Sequence, residues 1–417
     1  MFRVSLLVRG LLQEALIQGQ KVWNLDFGSN PTTTELKFHG KPATSTPLYH
    51  VLDLDGNVVN PKEEPKVSRE FMVKMMEAMV RHHTIDGILL EAQRQGRISF
   101  YMTSYGEEAS IVGSAAGLQP QDEVFLQYRE GALLTYRGYT IQEVVAQCMG
   151  NIECELKGRQ MPIHYGSRKL NVHVIGSTVA TQIPHAAGAG YAFRLENERE
   201  TDENKKRIAA VFFGDGAASE GDFYAGVNFA AVRGSQTLFI ARNNGFAIST
   251  PTPTQYKGDG ILARGVGNGV PSARIDGHDI LAVLQAVRRS REMILRENTP
   301  VLLEMITYRV SHHSTSDDSA AYRLDDEKER FAEIFSPLAR FEKYLVRKSW
   351  WSAEQTKQLS QQVRKETLQE LRRQENIPKW PVDTMHDDVY KEKTPEMQEA
   401  QREVMEHYER NKAAYKH

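Results

Sequence analysis

Cysteine is almost missing from this chain: Cys148 and Cys154 are the only two among 417 residues. They are too few and too close together for a disulfide framework, which suits a reducing compartment and leaves any metal site to oxygen or nitrogen ligands. Long apolar runs are missing as well. The longest, such as Ile208 to Phe213, stop after a few residues, whereas a membrane span needs roughly 20. Nor is there an excess of one charge. Fifty-two Lys and Arg stand against 54 Asp and Glu, so no global field exists to hold nucleic acid or an anionic membrane, and any polyanion site is local. What is present, 40% hydrophobic and 25% charged side chains, suffices for a large globular core with a smaller appended unit.

The first thirteen residues carry Arg3 and Arg9 with no acid before Glu14. That pattern fits a matrix-targeting presequence, and it equally fits a short amphipathic helix packed on the domain. From Asn24 to Pro65 the sequence is rich in Pro, Thr, Ser, Gly and Asn and reads as an extended arm with one strand-like stretch, Leu48 to Leu54. Ser68 to Gln95 has helical periodicity in Phe71, Met72, Met75, Met76, Met79 and Val80, with Ser68 as N-cap. The middle of the chain alternates β-rich and helical runs: Glu123 to Gln127, Ile141 to Cys148, Thr181 to Glu196, Ile208 to Phe213, Phe223 to Val232, Thr237 to Arg242, Asp279 to Glu297 and Val301 to Thr307. This order predicts an α/β fold with a doubly wound, mostly parallel sheet and helices on both faces. From Phe331 the chain turns charged and helical. The resulting division is an arm over 1–65, an α/β domain over 66–330 and a helical extension over 331–417.

In doubly wound sheets ligands sit outside the carboxyl ends of the strands. Arg207 to Ser249 runs strand, glycine turn, helix, strand, asparagine turn, with GDG (214–216) and NN (243–244) separated by 26 residues. If the two strands are parallel neighbours, Asp215 and Asn244 fall just past their carboxyl ends. An aspartate, an asparagine amide and a backbone carbonyl, most simply that of Phe246, make an oxygen set suited to magnesium, which completes its octahedron with phosphate oxygens and water. Gly214 and Gly216 let the backbone approach a phosphate, and the helix that follows presents its amino end to it. A second glycine motif, GAGYAF from Gly188, resembles a dinucleotide fingerprint but has Phe193 where its third glycine belongs. Gly188 and Gly190 are therefore read as helix-packing positions.

The GDG-to-NN spacing matches the thiamine diphosphate signature, and the chain resembles the α subunits of 2-oxo acid dehydrogenases, closest to those acting on the branched-chain 2-oxo acid 2-oxoisovalerate. The resemblance runs through QRQGRISFYMTSYGEEA (93–109), QYREGALLTYRGY (127–139), GRQMPIHYG (158–166), ATQIPHAAGAGYA (180–192) and TYRVSHHSTSDDSAAYR (307–323). Pyruvate dehydrogenase α subunits share the cofactor signature and look less like HHSTSDDSAAYR; a regulatory relative without activity is the other alternative. The resemblance implies that Gln127, Tyr128, Arg129, Ser177, Val179, Asp215, Gly216, Ala217, Arg242, Asn244 and His313 line the cofactor, with Arg129 and Arg242 against its diphosphate. Arginine's planar fork suits that role. It further implies magnesium at Asp215, Asn244 and the Phe246 carbonyl, potassium at Thr181 and Gln182, and a substrate wall of Phe100, Tyr128 and Val179.

The position of His313 implies a catalytic histidine that handles protons around decarboxylation and acyl transfer, a task for an imidazole titrating near neutrality. Ser314 matches a serine phosphorylated by a dedicated kinase and restored by a phosphatase; Leu324 stands where relatives have a second such serine. Gly176, Thr178 and Val179 replace a serine, a proline and a leucine in the potassium turn. The aminopyrimidine-activating glutamate comes from a β subunit in this family. The implied assembly is thus an α₂β₂ tetramer in the mitochondrial matrix, serving the lipoyl arm of a transacylase core.

Overall fold

The structure, a computed structural model, describes residues 45–415 together with Leu36. The presequence alternatives and the arm before Ser45 lie outside the described residues. Residues 45–415 form one compact unit.

Six strands make one parallel sheet: β1 (Leu48–Tyr49), β2 (Glu123–Phe125), β3 (Ala209–Gly214), β4 (Thr237–Asn243), β5 (Ser272–Asp276) and β6 (Val301–Ile306). Their spatial order is β1-β5-β6-β4-β3-β2. β4 lies at the centre with all seven residues buried, so its apolar run Leu238 to Ala241 reads as continuous rather than alternating. The helices of seven residues or more are α1 (Arg69–Arg94), α2 (Glu108–Gly117), α3 (Gly131–Arg137), α4 (Ile141–Met149), α5 (Gln182–Asn197), α6 (Gly221–Arg233), α7 (Ile280–Glu297), α8 (Asp325–Ile334), α9 (Pro337–Arg347), α10 (Ala353–Gln374) and α11 (Pro395–Asn411). Two hydrophobic cores result. A larger one gathers α1, α2, α4 and α7 with one side of the sheet, and a smaller one gathers α5 and α6 with Phe125, Phe213 and Phe239.

Local chemistry explains the boundaries. The Ser68 hydroxyl accepts from Phe71 N at 3.2 Å and starts α1, which buries Met72, Met75, Met76 and Met79 at helical spacing. Asp279 caps α7 through Leu281 N and Ala282 N, and its other oxygen receives Val51 N and Leu52 N, which fixes the chain beside β1. Gly190 is the packing position expected of it, because an added Cβ would stand 2.2 Å from Thr237 Oγ1. Gly188 is not: open space surrounds its would-be Cβ, on the outer side of α5. The sequence reading contains neither β5 nor α3. The sequence SARID of β5 is too short and too charged for a strand signal, and pairing with β6 over Ser272 to Asp276 overrides it. The C-terminal helices add no strand to the sheet. α9 and α10 pack on α1, Arg340 binds Asp53 O and Asp276, and α11 buries none of its residues.

Candidate active site

Strand register builds the site. Gly214 pairs with Arg242 and Asn243 with Ile306, so Asp215, Asn244 and Thr307 each emerge one residue past the carboxyl ends of three adjacent strands. Gln127 to Arg129 follow β2 at the neighbouring edge, and the Gln127 side-chain oxygen accepts from Gly214 N at 2.9 Å, tying the two strand ends together. The predicted juxtaposition of Asp215 and Asn244 is thus what the sheet produces.

Both side chains are buried. Asp215 accepts from Gln255 Nε2 at 2.7 Å, and burial pushes its carboxyl above the usual carboxylate range against that hydrogen bond. Asn244 Oδ1 accepts from Phe246 N at 3.3 Å, while its Nδ2 donates to Glu107 Oε1 at 3.3 Å. Glu107, which sequence reasoning passed over inside YGEEA, is completely buried. Its Oε1 accepts from Arg242 Nη1 at 2.6 Å and Thr307 Oγ1 at 3.0 Å, whereas Oε2 has no partner. Burial alone would raise this carboxyl; Arg242 and Arg129 hold it below the usual range.

Arg242 is buried between two acids. Its Nε donates to Glu130 Oε1 and Nη1 to Glu107, while Nη2 also pairs with Glu130. Three of the five N–H groups of a guanidinium are then engaged and two remain. A second arginine group surrounds His313. Arg129 Nη2 and Arg309 Nη1 approach His313 Nδ1 at 3.2 and 3.1 Å. Guanidinium groups only donate, so Nδ1 is the acceptor and the ring is neutral with its proton on Nε2. Burial, Arg129 and Arg309 together lower the imidazole to about 3. The sequence expectation of titration near neutrality therefore fails for the chain by itself, because two cations face the ring. Asp317 anchors the same loop, accepting from His313 N at 2.7 Å and Tyr322 OH at 2.6 Å. Arg323 is buried over the rings of Phe246 and Tyr308, and its Nε and Nη2 have no partner. Arg309 and Arg323 were also missed; the available signal was two arginines flanking a polar loop that follows a mostly apolar strand.

Unpaired buried donors and an unpaired carboxylate oxygen at one strand-end cluster are costly unless a ligand completes them. Four guanidinium groups (Arg129, Arg242, Arg309, Arg323) face four carboxylates (Glu107, Glu130, Asp215, Asp317). The site is already balanced, so a diphosphate fits it together with a divalent cation rather than alone. A cation would also reverse the upward shift of Asp215.

The remaining predicted residues spread wider. Tyr128 lies edge-on to His313 at 6.3 Å and beside the Arg129 guanidinium. Gly216 begins the 3₁₀ turn Ala217–Ser219 that leads into α6, and Ala217 is buried. Ser177 is exposed and hydrogen-bonds His164. Thr181 Oγ1 donates to Thr178 O and Gln182 Nε2 to Phe212 O, which leaves Gln182 Oε1 as an oxygen donor for a cation. Phe100 and Val179 are half-buried against different clusters, Phe100 on the larger core and Val179 on the smaller. Ser314 reaches Ser316 Oγ at 3.2 Å on the loop that carries His313.

A parallel sheet that sets an acid and an amide past the ends of adjacent strands, backed by buried arginines, has the architecture of a cofactor-dependent α/β enzyme. The comparison of sequences specifies it further. The model of the dehydrogenase E1 component matches residues 76–382, and the chain belongs to that family, which implies dependence on thiamine diphosphate. The mitochondrial 2-oxoisovalerate dehydrogenase subunit alpha of Homo sapiens is 46% identical over 361 residues, covering 87% of this chain and 80% of that protein. Subunit alpha 1 from Arabidopsis thaliana is 46% identical over 378 residues (90% and 79%), and the Dictyostelium discoideum subunit alpha 43% identical over 385 (92% and 84%).

Proposed function

We propose that this chain is the α subunit of a mitochondrial, thiamine diphosphate-dependent dehydrogenase that oxidatively decarboxylates branched 2-oxo acids such as 2-oxoisovalerate and passes the acyl group to the lipoyl arm of a transacylase. The names of the relatives support the substrate class. The observation that carries the chemistry is the register-matched Asp215 and Asn244, set against buried arginines with unused donors.

Magnesium is assigned to Asp215, Asn244 Oδ1 and the Phe246 carbonyl, and the diphosphate to Arg129, to the unused N–H groups of Arg242 and to Arg309. Thiamine diphosphate, when bound, supplies a carbon nucleophile and an electron sink. The chain's own residues do the rest. Gln127 fixes the β3 end, Arg129 and Arg309 hold His313 as the Nε2–H tautomer, and Tyr128 closes one side. With their charge offset by a diphosphate, Arg129 and Arg309 would let His313 return toward the range where it exchanges protons. Potassium is assigned to the Thr181 and Gln182 turn.

A β subunit must supply the missing carboxylate in an α₂β₂ tetramer. An exposed apolar face made by Leu195 of α5 with Tyr224, Phe229 and Val232 of α6 supports a large partner interface there. Phosphorylation of Ser314 by a kinase, reversed by a phosphatase, would add about −1.5 to −2 charge beside Asp317 and release His313 from it. The mitochondrial matrix is the compartment.

Co-expression with a β partner tests the reading. The tetramer should bind thiamine diphosphate only with magnesium and turn over 2-oxoisovalerate well ahead of pyruvate. A preference for pyruvate would make it a pyruvate dehydrogenase α subunit, and cofactor binding without turnover of either acid would make it a regulatory relative.

A further inference from the structure

The loop Met161 to His164 is held in a conformation its sequence does not favour. Ile163 has φ +65°, a region where a β-branched residue is strained, and such strain persists only where surroundings over-determine it. The clamp is Gln147, buried in α4. Its Nε2 donates to Met161 O at 2.7 Å and its Oε1 accepts from Ile163 N at 2.9 Å. Ile163 is itself buried in the larger core, which helps to hold the turn, while Met161 and Pro162 border an open cavity of about 660 Å³ on the side of Trp380.

What the strained loop presents is His164, itself buried. His164 Nδ1 lies 3.1 Å from Pro162 O, and a carbonyl only accepts, so Nδ1 carries the proton. In the neutral ring Nε2 is then an acceptor, and it lies 3.0 Å from Ser177 Oγ. In that neutral ring the Ser177 hydroxyl donates to His164, with Met161 Sδ as a weaker acceptor at 3.9 Å, and its lone pairs are left for anything bound beside it. The ring also stands 6.4 Å from Tyr128, whose other neighbour is His313 at 6.3 Å.

We propose that His164, locked by Gln147 and the Ile163 turn, is a positioning residue that orients the Ser177 hydroxyl as a hydrogen-bond acceptor for an N–H or O–H group of the bound cofactor or substrate. The inference rests on the functional reading above, in which Ser177 lines the cofactor. It assigns to the GRQMPIHYG segment a task that cofactor contacts alone do not give it.

The test is a double-variant cycle on the assembled tetramer, with thiamine diphosphate affinity from quenching of intrinsic fluorescence and kcat with 2-oxoisovalerate as separate readouts. His164→Ala and Ser177→Ala should each lower kcat by roughly tenfold, the scale of a misplaced site group, and should weaken the cofactor by a common factor. The double variant should be no worse than either single one. His164→Gln, whose Oε1 can occupy the Nε2 acceptor position, should recover most of the loss. Multiplicative losses in the double variant, wild-type behaviour of His164→Ala, or a Gln variant as poor as Ser177→Ala would each overturn the proposal. If His164→Ala does not assemble, the cycle built on His164→Gln and Ser177→Ala decides alone. A wild-type tetramer that binds the cofactor yet decarboxylates no 2-oxo acid defeats the functional reading, and the affinity cycle then still decides the role of His164.

Discussion

Glu304 and Glu107 are both completely buried, and both bind an arginine, yet they do different work. Glu304, on β6, receives Asn243 Nδ2, Ile261 N, Leu262 N and two nitrogens of Arg274, which also pairs with Asp259. Both of its oxygens are occupied, and the cluster ties β5, β6, β4 and the loop after Lys257 into one rigid edge. Glu107 concentrates three donors on Oε1 and leaves Oε2 bare. Arg323, on the far side of the His313 loop, is likewise short of partners. A buried cluster that is satisfied by the protein is structural; one that stays incomplete is a place where a ligand finishes the hydrogen bonding.

This contrast can be broken most directly at Glu304. Glu304→Gln should lower unfolding free energy by roughly 3 kcal/mol, because it strips charge from a buried pair, while cofactor affinity of the surviving tetramer is unchanged; urea denaturation measures the first and a cofactor titration the second. A loss of stability no greater than at Glu107 would erase the distinction. The opposite pattern belongs to Asp215. Asp215→Ala should weaken magnesium-dependent thiamine diphosphate binding by roughly 100-fold, as loss of a metal-site group does. Its unfolding midpoint should not fall, since the change removes a carboxyl that burial already disfavours. Glu107→Gln should sit between the two, costing about 1 kcal/mol of stability, because Arg242 keeps Glu130, and measurably reducing cofactor affinity.

The last prediction concerns the pH response of His313. Its folded value of about 3 lies below the ordinary 6.5, so the unfolded chain binds the proton more readily between those values. The stability this histidine contributes is complete above about pH 6.5 and erodes as pH falls toward 3. Imidazole NMR on the cofactor-free protein should show no His313 titration near neutrality, and addition of magnesium and thiamine diphosphate should move it upward. Titration at the ordinary value without cofactor would mean that Arg129 and Arg309 do not face the ring in solution.

Much of this was legible before any coordinates. The apolar runs of β3, β4 and β6, the methionine periodicity of α1 and the GDG-to-NN spacing are local patterns, and the side-chain period of a strand converts them directly into a carboxylate and an amide at neighbouring strand ends. Gly188 misled because a glycine on the open side of a helix looks the same in sequence as Gly190 on its packed side. β5 escaped because its pairing with β6, not its composition, makes it a strand.

The chain alone determined the strands β2, β3, β4 and β6, the mostly parallel sheet they belong to and that Asp215 and Asn244 follow two of them, since hydrophobic period and spacing are properties of neighbouring residues. Only the tertiary structure decided which charges are spent on each other. That Arg242 faces two glutamates, that His313 is neutral between Arg129 and Arg309, and that Glu107 and Arg323 are left with unmet hydrogen bonds depends on residues as much as 200 positions apart meeting where water is excluded. Both the protonation state and the energy of a group are set by those distant neighbours rather than by the residue itself.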